Sequence, residues 1–203
     1  MKIRTWSDYL YIIFFVVLLA IVLRWTTISF YYFPTDSMVP TIYPKEYVLV
    51  NKLAYGLRLT PGGTVYFEQQ ASVGDLVLFT LPNGSAKAFV RRVIAVSGEF
   101  VEIKNGKILI NDKVIEVSPT QDSLRKDFSG VGIVVNEKND SRSWQRLQIN
   151  DESMINFPKQ QVPEGHLFVL NDNRIQLEDS RSFGMVPVKY LLGKVATSFR
   201  LVP

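Results

Sequence analysis

Three short stretches of this chain carry residues that could do chemistry. The first is Pro34-Thr35-Asp36-Ser37-Met38-Val39-Pro40-Thr41. A proline at each end sets φ near about −65° and holds the preceding residue extended, so the loop keeps the Ser37 hydroxyl in one place. That hydroxyl could act as a nucleophile, or Ser37 could simply be a turn residue. The second stretch is Phe89-Val90-Arg91-Arg92. Alternation along a strand puts the two arginines on opposite faces, so one of them is expected to point inward and to need a partner. The third is Asn171-Asp172-Asn173-Arg174, followed by Asp179-Ser180-Arg181-Ser182-Phe183-Gly184. Such residues bond nearby backbone, so a polar loop closing a hairpin is one reading. The other is that Asp172, Arg174, Asp179 and Arg181 form one charge network that props a site and pairs with the inward arginine.

The composition removes several chemistries. The 203 residues include no cysteine and one histidine, so disulfides, thiolate catalysis and cysteine zinc sites are excluded, and neither a metal nor a cofactor is expected. A Ser-His-Asp triad would need His166, which lies in an apolar strand beside Phe168, where a structural role or solvent exposure is expected. The net charge is +4 and the basic residues are scattered, so nucleic-acid binding is not expected.

The elements that must position these stretches begin with an apolar run. Tyr9 to Leu23 carries no charge and follows Lys2 and Arg4. As a helix it rises about 22 Å, short of a hydrocarbon core of about 30 Å. Arg24 can snorkel, and Trp25 to Phe33 continues without charge to the aromatics Tyr31-Tyr32-Phe33, which suit a membrane interface. A cleavable signal needs small residues where Ile28-Ser29-Phe30-Tyr31 stand. An uncleaved transmembrane anchor is therefore expected within 1–33, with a cytoplasmic N-terminus and an extracytoplasmic main domain.

Past Glu46 the pattern is short strands and turns. Strands are expected at 47–50, 76–79, 88–96 and, as the last core strand, 166–170, with turns at Thr60-Pro61-Gly62-Gly63 and Pro82-Asn83-Gly84. Val101–Lys104 and Lys107–Ile110 flank Asn105-Gly106, the preferred pair for a type I′ hairpin, and 114–117 completes a meander. Residues 118–160 are more polar, with weaker strands at 132–135 and 144–149. The fold class is mainly β: an antiparallel β domain over 34–117 and 161–203, with a smaller inserted β region over 118–160, preceded by one transmembrane helix.

Taken in order, the anchor, Asp36-Ser37-Met38-Val39-Pro40-Thr41, Gly74-Asp75-Leu76-Val77-Leu78-Phe79, Arg91-Arg92-Val93-Ile94 and Asn171-Asp172-Asn173-Arg174…Asp179-Ser180-Arg181 resemble the bacterial type I signal peptidases. These are membrane-anchored serine endopeptidases that remove signal peptides from exported proteins. The resemblance covers the anchor and about 34–112 and 162–203. It implies Ser37 as nucleophile, with Thr35 and the Ser37 N–H holding the oxyanion. It further implies that Asp36, Met38 and Pro40 lie against substrate and that Asp172, Arg174, Asp179, Ser180 and Arg181 support the site. The implied partners are signal peptides, or extended segments of exported proteins, and the lipid bilayer.

The departures are concentrated at the chemistry. The resemblance implies a lysine as general base where this chain has Arg91, and a guanidinium has no acceptor. Leu177 stands in place of a serine that orients the lysine; Asn171, Ala95 and Ser97 also replace Gly, Gly and Pro. Lys87 shares a strand face with Arg91 but lies about 13 Å along it, and nothing local fixes the direction of Lys52. Two roles follow: an endopeptidase with impaired turnover, or a non-catalytic paralogue that binds exported or pilus-like surface proteins as a chaperone.

Overall fold

The apolar run without proline folds as a helix, α1 (Trp6–Thr27), which passes directly into a strand, β1 (Ile28–Phe33). The computed structural model describes residues 6–58, 63–82, 87–126, 128–140, 142–148 and 155–200, with backbone only at 22–26. Lys2, Arg4, the turn at 60–62, Asn83-Gly84 and the side chains of Arg24 and Trp25 lie outside the described residues. On α1 the described apolar side chains from Leu10 to Ile21 are exposed. Among the described residues no helix is long and apolar enough to cross a membrane.

The strands continue as β2 (Glu46–Asn51), β3 (Leu57–Arg58), β4 (Val65–Tyr66), β5 (Leu76–Thr80), β6 (Ala88–Val96), β7 (Phe100–Lys104), β8 (Lys107–Ile110), β9 (Lys113–Val114) and β10 (Glu116–Pro119). Then come β11 (Ile133–Asn139), β12 (Arg142–Gln148), β13 (Phe157–Gln161), β14 (His166–Leu170), a one-turn helix α2 (Ser180–Phe183), β15 (Val186–Pro187) and β16 (Leu191–Phe199). A seven-stranded sheet in the order β1-β2-β16-β5-β6-β14-β15 is joined by sheets β13-β7-β8-β9 and β10-β11-β12 and by the pair β3-β4. The pairs are antiparallel, so the mainly β, antiparallel class holds.

Several expectations are corrected. Residues 28–33 do not extend the helix; they pair one for one with β2 as an edge strand, as suits their β-branched and aromatic side chains. The last core strand is β16, not 166–170. It lies between β2 and β5 with a register shift against each, and these irregularities blur the alternation by which a strand is read. Gly193 sits at the shift with φ 156°, and a Cβ there would fall 2.5 Å from the Asn51 carbonyl oxygen. The hairpin at Asn105-Gly106 forms as expected, both residues at positive φ and Lys104 opposite Lys107. The third meander strand divides at buried Ile115: Val114 pairs with Leu109, while Glu116 onward pairs with β11. Pro158 masks β13 in the sequence and is tolerated there because β13 is the edge of its sheet.

β6 is the centre of this arrangement. Phe89 and Val93 pack in one apolar cluster with Val77, Phe79 and Leu167. Val90 packs with Met38, Val48 and Leu78, and Ile94 with Val101, Phe168 and Trp144. Both faces of β6 are therefore covered, which buries Arg91 and Arg92 alike. The expectation that only one of the pair points inward is corrected.

Candidate active site

The chain leaves β1 at Phe33 and turns through the Ser37 loop before re-entering the sheet at Glu46. Buried Met38, Val39 and Ile42 pin the loop from below, and backbone bonds from Val39 to Asp36 and from Ile42 to Met38 tighten it. The Asn173 N–H donates to the Ser37 carbonyl at 3.0 Å, and the Asn173 side-chain amide donates to the Asp36 carbonyl at 3.2 Å. The loop at 171–174 thus holds the serine from one side and β6 from the other.

Arg91 Nη1 donates to Ser37 Oγ at 3.1 Å, and Thr35 Oγ1 lies 3.1 Å from the same oxygen. The guanidinium can only donate, so Ser37 Oγ accepts from Arg91, while either hydroxyl can donate in the Thr35–Ser37 bond. Arg91 also donates from Nε to the Glu178 carbonyl at 2.7 Å and from Nη1 to the Val90 carbonyl at 2.6 Å. Burial lowers the Arg91 guanidinium to about 10, against the raising effect of Asp179 and Glu178. It is cationic at neutral pH and cannot take the serine proton.

The alternative amines fare no better. Lys87 Nζ pairs with Glu178 Oε1 at 2.7 Å on the exposed rim of the site. Lys52 follows the Asn51–Ile28 end of the β1–β2 pair, whereas Ser37 follows the Phe33–Glu46 end. Six strand steps, about 20 Å, separate Lys52 from Glu46. His166 is likewise remote, at the Val96 end of its pairing with β6, with Nδ1 2.9 Å from the Glu164 carbonyl oxygen.

The charged residues expected behind the site form three ion-paired groups joined through the loop backbone, Arg181 Nη1 donating to the Arg174 carbonyl at 3.2 Å and Arg174 Nε to the Asn171 carbonyl at 2.8 Å. Asp172 receives Arg92 bidentately, Nε at 2.7 Å and Nη2 at 2.5 Å, and accepts from Thr41 as well. It therefore ties β6 to the end of the nucleophile loop. Asp179 receives Arg181 from Nε at 2.8 Å and Nη2 at 2.6 Å, caps α2, and accepts from the Asn171 N–H. Ser180 Oγ accepts from the Val169 N–H at 3.0 Å. Arg174 turns the other way, to Glu137 on β11, which also forms an ion pair with Arg146 Nε at 2.6 Å and accepts the Trp144 indole N–H at 2.9 Å. Burial pushes the Glu137 carboxyl up, but Arg174, Arg146 and Trp144 outweigh it and hold the group below its ordinary range.

Sequence reasoning misses Glu137, Arg146 and Glu178. Glu137 and Arg146 fall two residues after Val135 and Trp144, in phase with the buried face of their strands, and that phase is the signal that could have found them. The Leu147 N–H donates to the Asp172 carbonyl at 2.8 Å, so β12 props the same loop through its backbone. Met38 is fully buried with Phe33, Ile42 and Val48, so the expected substrate contact is corrected to a core role. Asp36 and Pro40 are half-buried and Thr35 is exposed. Beside the serine loop a cleft of about 260 Å³ is walled by Phe33, Val48, Leu78 and Val90 and bordered by Thr35, Lys87, Arg91 and Glu178. Among the described residues no cluster of His, Asp or Glu is placed to hold a metal ion.

The profile of the family described as signal peptidase, peptidase S26, matches residues 6–200. A probable signal peptidase I-1 of Synechocystis is 27% identical over 192 residues, covering 91% of this chain and 76% of that protein. The signal peptidase I of Rickettsia typhi is 28% identical over 201 residues, covering 89% and 75%. A probable thylakoidal processing peptidase 2 of Arabidopsis thaliana is 28% identical over 168 residues, covering 79% of this chain but 35% of that protein. A crystal structure of a signal peptidase I from Enterococcus faecalis V583 aligns at 24% identity over 63% of this chain and 98% of that one, with a TM-score of 0.38.

Proposed function

The chain belongs to the signal peptidase family, peptidase S26, and from that premise we propose that it captures signal-peptide-like segments of exported proteins and hydrolyses them slowly or not at all. The observation that carries this reading is the 3.1 Å bond from Arg91 Nη1 to Ser37 Oγ. Attack on a peptide carbonyl requires the serine proton to leave for a base. In this chain the group touching the oxygen is a donor, and Thr35 is a hydroxyl. The parts that do not depend on a base support the binding half of this reading. The Ser37 N–H and Thr35 suit the oxyanion, and Asp172, Arg174, Asp179, Ser180 and Arg181 brace the loop behind it. Binding follows from the sheet: β14 pairs with β6 only from Val96 to Arg92, which leaves 88–91 for an added strand along the cleft. Without turnover the same chemistry is a non-catalytic binding role.

The test uses the full chain in detergent micelles with a fluorescent signal-peptide substrate. Native protein and Ser37→Ala are expected to bind it equally. Native cleavage should fall about 10²- to 10⁴-fold below a lysine-bearing relative assayed in parallel, the usual contribution of a general base. Brisk native turnover that disappears in Ser37→Ala would overturn the reading.

In the same reading the segment 1–33 anchors the chain at the membrane, supported by the exposed apolar side chains of α1 and by Phe30 and Tyr32 of β1 exposed just beyond it, while the described part of α1 alone is not long and apolar enough to cross. The N-terminus then faces the cytoplasm and the β domain lies outside. An impermeant amine reagent added to intact cells is expected to label Lys107; protection until the cells are broken would reverse the orientation.

A further inference from the structure

We propose that the Arg91 corner of the cleft is a receptor for the C-terminal carboxylate of an extended peptide, so that the chain recognises a segment by its free end and not by a bond within it. This rests on the preceding reading of the cleft as a peptide site and names the ligand class it takes.

The first argument is charge. The Arg91 side chain is 3% exposed, and the carboxylate oxygen nearest its Nη2 is Glu178 Oε2, 3.6 Å away. Glu178 is half exposed and also bonds Lys87. The charged residues bordering the cleft are thus two cations and one carboxylate, and the remaining walls are largely apolar. A buried cation of this kind is stabilised by an anion that enters with its own hydrogen-bond acceptors. Burial lowers the guanidinium pKa, a direction that a bound anion reverses.

The second argument is donor geometry. Nε is taken by the Glu178 carbonyl and Nη1 by the Val90 carbonyl and Ser37 Oγ. Nη2 keeps its N–H groups for a ligand, its approach to Glu178 being a long one. Thr35 and Ser37 add two hydroxyls 3.1 Å apart at the same corner. The Nη2 N–H groups, with the one proton that the bonded hydroxyl pair has left to donate, match a carboxylate, which offers two oxygens and about four lone-pair sites. A peptide that continued past this point would bring one carbonyl oxygen and then an N–H, a donor facing donors. An apolar peptide ending in a small residue fits both the walls and the corner.

The probe is a fluorescein-labelled apolar peptide ending in Ala-Gln-Ala, made as the free acid, as the C-terminal amide, and with five further residues. Binding to the full-length chain in micelles is read by anisotropy, with peptide integrity followed by chromatography. The free acid is expected to bind about 10- to 100-fold more tightly than the amide or the longer peptide, the range of charge-assisted hydrogen bonds. Arg91→Gln should bring the acid down to the affinity of the amide. Equal affinities, tighter binding of the longer peptide, or an acid preference that survives in Arg91→Gln would each overturn the carboxylate assignment while leaving the peptide site standing. No binding of any form would overturn both.

Discussion

Replacing Arg91 with lysine and Leu177 with serine together is expected to raise cleavage of a signal-peptide substrate about 10²- to 10⁴-fold over the native chain. Position 91 already disfavours charge: burial lowers the guanidinium to about 10. A lysine there starts from about 10.4, and the same desolvation moves it toward neutrality. Unlike a guanidinium, the neutral amine has a lone pair to accept the Ser37 proton. Arg91→Lys alone is expected to gain little, because Glu178 favours the charged amine and no hydroxyl orients it. Position 177 precedes Glu178, whose carbonyl lies 2.7 Å from Arg91 Nε, and its leucine is exposed, so a serine there costs no core packing. Steady-state cleavage by the native chain, the single variants and the double variant, each with and without Ser37→Ala, measures the effect. A gain that persists in Ser37→Ala, or a double variant no faster than Arg91→Lys, would show that the missing base does not limit this site.

Glu137→Gln is expected to destabilise the fold by about 3 to 5 kcal/mol, because it leaves two buried guanidinium groups without their carboxylate. For a chain of this length that corresponds to a fall in Tm on the order of 10 °C. The effect also reaches the site. Glu137 holds Arg174, and the residue before Arg174 donates its N–H to the Ser37 carbonyl. The pH dependence has a definite sign. The Glu137 carboxyl is held below its unfolded value, so its contribution is complete above about pH 4.3 and is lost as pH falls through the folded pKa. Asp75 is also lowered: burial raises it, but Lys194, the Ser72 N–H, Arg142 and Tyr55 together prevail. It therefore adds acid sensitivity of the same sign to both proteins. Denaturant melts from pH 7 to pH 3 should show the native chain losing its advantage over Glu137→Gln as the pH drops. A constant difference across that range, or no loss of stability at pH 7, would show that the Glu137 carboxylate does not hold Arg146 and Arg174 in the fold.

How much of this was legible in the sequence depends on whether the cause is local. Asn105-Gly106 makes its turn because of its own backbone preferences, and Arg91 cannot be a base because of what a guanidinium is. Pro34 and Pro40 bound the Ser37 loop whatever surrounds it. The mainly β class likewise follows from short apolar runs punctuated by turns. Other features had no local cause to read. Residues 28–33 carry side chains that suit a strand, but their place at the sheet edge comes from β2 beside them, and β16 is central because β2 and β5 accept its irregular register. Arg91 and Arg92 are both buried because β6 is covered on both faces. Met38 faces the core and not a ligand because Phe33, Val48 and Leu78 close over it. Arg174 takes its carboxylate partner from Glu137, a residue 37 positions away. Side-chain chemistry and turn propensity belong to single residues and their neighbours, so the sequence determined them. Partners distant along the chain are chosen by which surfaces meet, and only the tertiary structure decides that.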